Sequence, residues 1–136
     1  MMTQSAIHHR GADRFGLAVA VLAAVFSLIA SLASAEEIPA AAKTEADTVW
    51  QTRCTTCHGM AGKGDGAAAV ALTPKPRDLS SATWQASVTD EHIEKVIVGG
   101  GQAVGLSMMM TANPDLASKT DVIHALRAHV RSLGGK

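Results

Sequence analysis

The sequence predicts an all-α protein on three observations. Apolar residues recur at three- and four-residue steps in separate segments, no stretch beyond residue 35 sustains the two-residue alternation of a half-buried strand, and glycine or proline clusters divide the periodic segments. The first helix is expected from about Ala40 to Cys57, with Ala46, Val49, Trp50, Arg53 and Cys57 on one face. Gly59, Gly62, Gly64 and Gly66, spaced around Asp65, are turn chemistry and stop it. Leu72-Thr73-Pro74-Lys75-Pro76-Arg77-Asp78-Leu79 reads as extended or turning chain, because each proline removes a backbone donor and biases its predecessor away from helix. A short helical turn is expected around Trp84. Thr89 is an N-cap, with Asp90 and Glu91 facing the positive end of the next helix dipole, Ile93, Val96 and Ile97 on its apolar face, and Gly99-Gly100-Gly101 as its stop. Residues Gln102 to Leu116 read as loop. The last helix spans about Thr120 to Leu133 on a stripe of Ile123, Leu126, Val130 and Leu133, closed by Gly134 and Gly135.

Residues 1–35 read as a secretory leader. Arg10 and Arg14 precede a long, predominantly apolar run from Leu17 to Ala33, and Ala33-Ser34-Ala35 supplies the small residues a signal peptidase accepts, leaving Glu36 as the first mature residue. The competing reading is an uncleaved membrane anchor. Either predicts export. Residues 36–136 form one small domain with ten basic and eleven acidic side chains, a balance that gives no strong field for nucleic acid or an anionic membrane. Trp50 and Trp84 are the only members of the Phe, Trp and Tyr set beyond the leader, so such a domain buries little apolar area by itself.

Cys54-Thr55-Thr56-Cys57-His58 supplies what the core lacks. Cys-x-x-Cys-His is the spacing that attaches a c-type haem: thiols three positions apart share a helical face, and the histidine that follows is placed to take the iron as proximal ligand. Zinc would require Cys54 and Cys57 to be joined by two more ligands, drawn from His58, His92, His124 and His129, which lack finger-like spacing. A thiol redox pair is expected beside a strand-helix-strand pattern that is missing here. A phosphate-binding loop at the glycines lacks both a preceding strand and a Gly-Lys-Ser/Thr ending.

A haem iron held by His58 leaves a sixth position to assign. Met60 is too close in sequence to reach the opposite face, whereas Met108, Met109 and Met110 lie in a loop about fifty residues on, where core filling explains them poorly. A second histidine, from His92, His124 or His129, and an open sixth position are the alternatives. Arg77 and Trp84 are candidate partners for the haem propionates, against the plainer readings of a solvated turn charge and a packed aromatic.

The motif at Cys54 to His58 with Gly59, the Gly-Lys-Gly-Asp-Gly turn, the Pro-Lys-Pro-Arg-Asp-Leu segment, the Gly-Leu-Ser-Met-Met-Met loop and the terminal Ala-His-Val-Arg-Ser-Leu helix resemble a class I cytochrome c, in order and over nearly the whole chain beyond the leader. The resemblance implies a cytochrome c fold in which the N- and C-terminal helices cross around one covalent haem c and its iron. It also implies that the ligand methionine follows Gly-x-Ser-x-x and precedes a proline. Counting from Ser107 places it at Met110, with Met109 second and Met108 third, because Thr111 stands where the proline is usual. The resemblance further implies a proline carbonyl on the proximal histidine, Pro74 first and Pro76 second. His129 stands where relatives carry an aromatic residue facing the first helix, so a contact with Trp50 is expected. The function implied is a periplasmic, monomeric electron carrier that exchanges single electrons with redox protein partners. The alternatives are a fixed subunit of a membrane dehydrogenase or oxidase and, further off, a haem gas sensor or peroxidase-like enzyme. No acid-base or nucleophile set accompanies the motif, so no separate catalytic site is expected.

Overall fold

A computed structural model describes residues 37–134; the expected leader, and Gly135 at the far end, lie outside the described residues. Five α-helices are found among them: α1 (Ala40–Val49), α2 (Thr55–His58), α3 (Ala82–Ser87), α4 (Asp90–Gly99) and α5 (Thr120–Leu133). No strand occurs among the described residues, and no described helix is long and apolar enough to cross a membrane.

The segment expected as one helix from Ala40 to Cys57 is helical to His58, but a π-helical turn at Trp50–Cys54 joins α1 to α2. A π turn inserts one residue into the 3.6-residue period and rotates everything after it by about 100°. The face predicted to continue through Arg53 therefore continues through Cys54. Arg53 is exposed, whereas Cys54 packs against the core. On the outer side Thr44, Thr48, Thr52 and Thr55 each donate to the carbonyl four residues back, which satisfies their hydroxyls locally.

α1 packs most extensively against α5. Ala42 and Ala46, one helical turn apart, are buried at this contact and let the backbones approach, while Val49 and Trp50 fill the space beyond them. From α5 come Val122, Ile123, Ala125, Leu126, Val130 and Leu133, a wider stripe than the four residues expected. Ile93 of α4, Leu79 and Leu116 complete the core. The contact expected between Trp50 and His129 is present, with ring centroids 4.5 Å apart and planes tilted by 46°.

The shorter elements begin where the sequence signals them. Ser81 Oγ accepts from Trp84 N–H at the start of α3, and Thr89 Oγ1 accepts from His92 N–H at the start of α4. Residues Gln102 to Leu116 are not all loop: 3₁₀ turns form at Gly101–Val104 and Pro114–Leu116. Runs this short need only i→i+3 bonds and carry no apolar period. A further 3₁₀ turn, Ala69–Ala71, follows the glycine-rich segment.

Arg131 ties the ends of the helices together. Its guanidinium donates to Asp90 Oδ1 at 2.7 Å, to the Gln85 carbonyl and Val88 carbonyl at 2.8 Å each, and to Gln85 Oε1 at 3.0 Å. Gln85 Nε2 in turn donates to the Leu79 and Val130 carbonyls at 2.8 Å. One charged side chain thus joins α3, α4 and α5 and, through Gln85, the end of the proline-rich segment. Arg127 extends the cluster, with Nη1 3.0 Å from Glu94.

Candidate haem centre

Cys54, Cys57 and His58 fall at the C-terminal end of the helical stretch from Ala40 to His58, all three partly buried. The two thiols are not joined to each other. Burial pushes the Cys54 thiol up to about 11, with the Arg53 charge opposing the shift and Cys57 adding to it. A redox pair needs the reverse, a thiol pK lowered toward neutrality. Among the described residues no three His, Cys, Asp or Glu side chains converge as a metal-binding group, so the zinc reading finds no ligand set there.

His58 is oriented by the main chain. Its Nδ1 lies 3.2 Å from the Arg77 carbonyl. A carbonyl oxygen only accepts, so Nδ1 carries the proton and the Nε2 lone pair is left for a metal. Burial, outweighing that hydrogen bond, holds the imidazolium form below the usual histidine range, which favours the neutral ring a metal requires. The carbonyl is that of Arg77, not of Pro74 or Pro76 as the family resemblance implies. The displacement follows from an anchor beyond the prolines: Leu79 N–H donates to the Gly62 carbonyl at 2.7 Å, drawing residues 76–78 across the histidine.

The glycine-rich segment folds back onto the motif. Gly64 N–H donates to the His58 carbonyl, Gly66 N–H to that of Cys57 and Ala68 N–H to that of Thr56, at 2.9, 3.1 and 2.9 Å. A side chain at Gly66 would collide with the Thr55 and Thr56 carbonyls, so this close approach requires glycine. Arg77 and Trp84 enter differently from the expectation. The Arg77 side chain is exposed and its carbonyl makes the contact, while Trp84 packs partly buried against the core.

The methionines differ in exposure. Met108 and Met109 are 71% and 56% exposed, whereas Met110 is partly buried. Met110 is also held at both backbone groups: its carbonyl accepts from Gly101 N–H at 2.9 Å and its N–H donates to the Ser107 carbonyl at 3.2 Å. Gly100, with φ at +69°, brings the chain so near that a side chain there would lie 2.6 Å from the Met110 carbonyl. Two of the histidines considered as second ligands, His124 and His129, are engaged elsewhere. His124 Nε2 lies 3.8 Å from Glu94 Oε1, and His129 stacks on Trp50.

This donor set fits a covalent haem: two thiols at the required spacing, an adjacent imidazole with one nitrogen tethered, and, on a separate loop, a methionine whose backbone is held. No curated protein matches the chain. The family profile described as Cytochrome c matches residues 44–134, which takes in the motif, the glycine-rich and proline-rich segments, the methionine loop and α5. The chain belongs to the cytochrome c family, whose domain binds a covalently attached haem c and transfers electrons through its iron.

Proposed function

We propose that this protein is a periplasmic electron carrier in which Cys54 and Cys57 form the thioethers, His58 is the proximal iron ligand and Met110 the distal one. When bound, the haem supplies a one-electron ferric/ferrous couple. The chain's part is to hold two ligands with little freedom. Nδ1 donation to the Arg77 carbonyl orients His58 and raises its basicity. The Gly101 and Ser107 contacts restrain Met110. The observation that carries the assignment is the contrast between Met110, partly buried and held at both backbone groups, and its exposed neighbours Met108 and Met109. A thioether ligand favours ferrous iron, so the potential is positive.

Exchange with redox partners would occur over the surface carrying Thr56, Met60, Met108 and Met109, which are exposed. Small, weak contacts suit a carrier that must leave quickly. The leader motif at residues 1–35 supports export to the periplasm.

The test is the absorption spectrum of the protein matured with haem, oxidised and reduced. Sulfur-ligated ferric c-type iron has a weak charge-transfer band in the near red. Its presence in the parent and in Met109→Ala, with loss in Met110→Ala, supports the assignment. Loss in Met109→Ala alone moves the ligand to Met109. Absence of the band from the parent rejects methionine ligation.

A further inference from the structure

Arg53 joins two parts of the chain that lie 60 residues apart. It directly precedes Cys54, and the π turn that brings Cys54 inward leaves Arg53 facing out. Its Nη1 donates to Asn113 Oδ1 at 3.3 Å and to both carboxylate oxygens of Asp115 at 3.0 Å. Asn113 ends the methionine loop and is held from its other side as well. Its N–H donates to the Val98 carbonyl at 2.9 Å and its Nδ2 to the Ile97 carbonyl at 2.8 Å. Those carbonyls lie in the last turn of α4, where a helix leaves its acceptors without partners of its own. Three residues earlier, Met110 is bonded to Gly101. Residues 110–113 therefore run back along residues 98–101 as one unit, the loop stapled to the end of α4.

That unit is tied to the motif by one side chain. Among the described residues, Arg53 makes the only hydrogen-bonded or ionic link between residues 50–58 and residues 100–116. We propose that Arg53 is a positioning residue for the distal ligand: through Asn113 and Asp115 it holds the methionine loop closed against the helix that carries Cys54, and so slows release of the Met110 thioether from the iron. This rests on the assignment of Met110 as ligand. The side chains of Arg53 and Asp115 are 44% and 50% exposed, so solvent screens the pair. Its loss lowers the free energy of loop opening and that of global unfolding by the same small amount, and opening, the smaller of the two, shows it first.

Carbon monoxide binds ferrous iron only where the sixth position is vacated, so its rate of binding to the reduced holoprotein reads that opening. Arg53→Gln is expected to raise the rate about two- to fivefold, the range of a modest exposed hydrogen-bonded pair. About 0.5 M salt should accelerate the parent similarly and add little to Arg53→Gln. Arg53→Lys, which keeps the charge without the planar fork, should fall between them. Asp115→Asn is the second variant, and its effect should not add to that of Arg53→Gln. An unchanged rate in both Arg53→Gln and Asp115→Asn overturns the proposal. So does a loss of global unfolding free energy in denaturant well beyond the one the rate change corresponds to, which would make Arg53 a support of the whole fold. The near-red sulfur band of the parent separates the two claims: its absence removes the Met110 assignment and this inference with it, while its presence alongside unchanged carbon monoxide kinetics removes only the role of Arg53.

Discussion

Residues 54–79 and residues 100–113 each present one candidate iron ligand, His58 and Met110, and they are built by different means. In the first segment the chain folds back at once on the motif helix: Gly64, Gly66 and Ala68 bond to the carbonyls of His58, Cys57 and Thr56, and Gly62, Gly64 and Gly66 are buried. In the second, Leu106, Met108 and Met109 stay more than half exposed at 56%, 71% and 56%, and Met110 is restrained by a few bonds spread over Gly101, Ser107 and, through Asn113, α4. The difference follows from sequence distance. A ligand one residue from a covalent anchor needs only its ring turned, which one carbonyl does. A ligand some fifty residues away costs chain entropy to bring into place and regains it each time it lets go, so it must be held by several weak links. The proximal side is accordingly the stiffer, and the methionine loop is where opening is expected first.

The largest effect should come from removing the anchor itself. Cys54→Ala combined with Cys57→Ala should abolish covalent haem altogether, read as loss of haem staining on a denaturing gel, and with it the advantage of the proximal side. Next is Leu126→Ala. Leu126 is 2% exposed in the α5 core that serves both segments, and its truncation should cost about 2 to 5 kcal/mol in denaturant unfolding. Both ligand-bearing segments should lose stability together, which makes this variant the control for the local ones. Met110→His should lower the reduction potential measured by equilibrium titration, because imidazole lacks the thioether's preference for ferrous iron. The equivalent change at Met109 should leave the potential almost unmoved.

The smallest effect is expected on the proximal side at Asp78. Its carboxylate accepts from the Ser80 hydroxyl at 2.6 Å and from Ser80 N–H at 2.9 Å, and these bonds hold it below the usual carboxylate range. The unfolded chain then binds the proton more readily than the folded one. The contribution to stability is present above the unfolded value of 3.8 and is lost as pH falls through the depressed folded value. Asp78→Asn should therefore be slightly less stable than the parent at neutral pH and converge with it in acid, measured as the denaturant midpoint against pH. A large loss at neutral pH would mean that the turn after Arg77 governs how firmly His58 is held.

The motif, the helix boundaries at Thr89 and Thr120–Leu133, and the pairing of Trp50 with His129 were readable in the sequence. Each depends on short-range chemistry: a fixed Cys-x-x-Cys-His spacing, a capping hydroxyl, a 3.6-residue stripe, or one substitution at a place where relatives carry an aromatic residue. The all-α class and the family followed from the same signals, and the match over residues 44–134 bears them out.

Other features were decided by packing between segments distant in sequence. The π turn at Trp50–Cys54 changes which of Arg53 and Cys54 faces inward, and no local preference announces an inserted residue in a helix that otherwise keeps its period. The carbonyl on His58 belongs to Arg77, beyond the prolines, because the Leu79 to Gly62 bond sets how far the chain advances before it turns back. Arg53 with Asn113, and Arg131 with Gln85 and Asp90, are links between segments whose members look like ordinary polar surface residues when read singly. The amino-acid order alone determines the covalent chemistry and the helices, since these depend on neighbours a few positions apart. Tertiary structure decides the partners of each candidate ligand, because a side chain's angle and the carbonyl it meets emerge only when α1, α4 and α5 have packed.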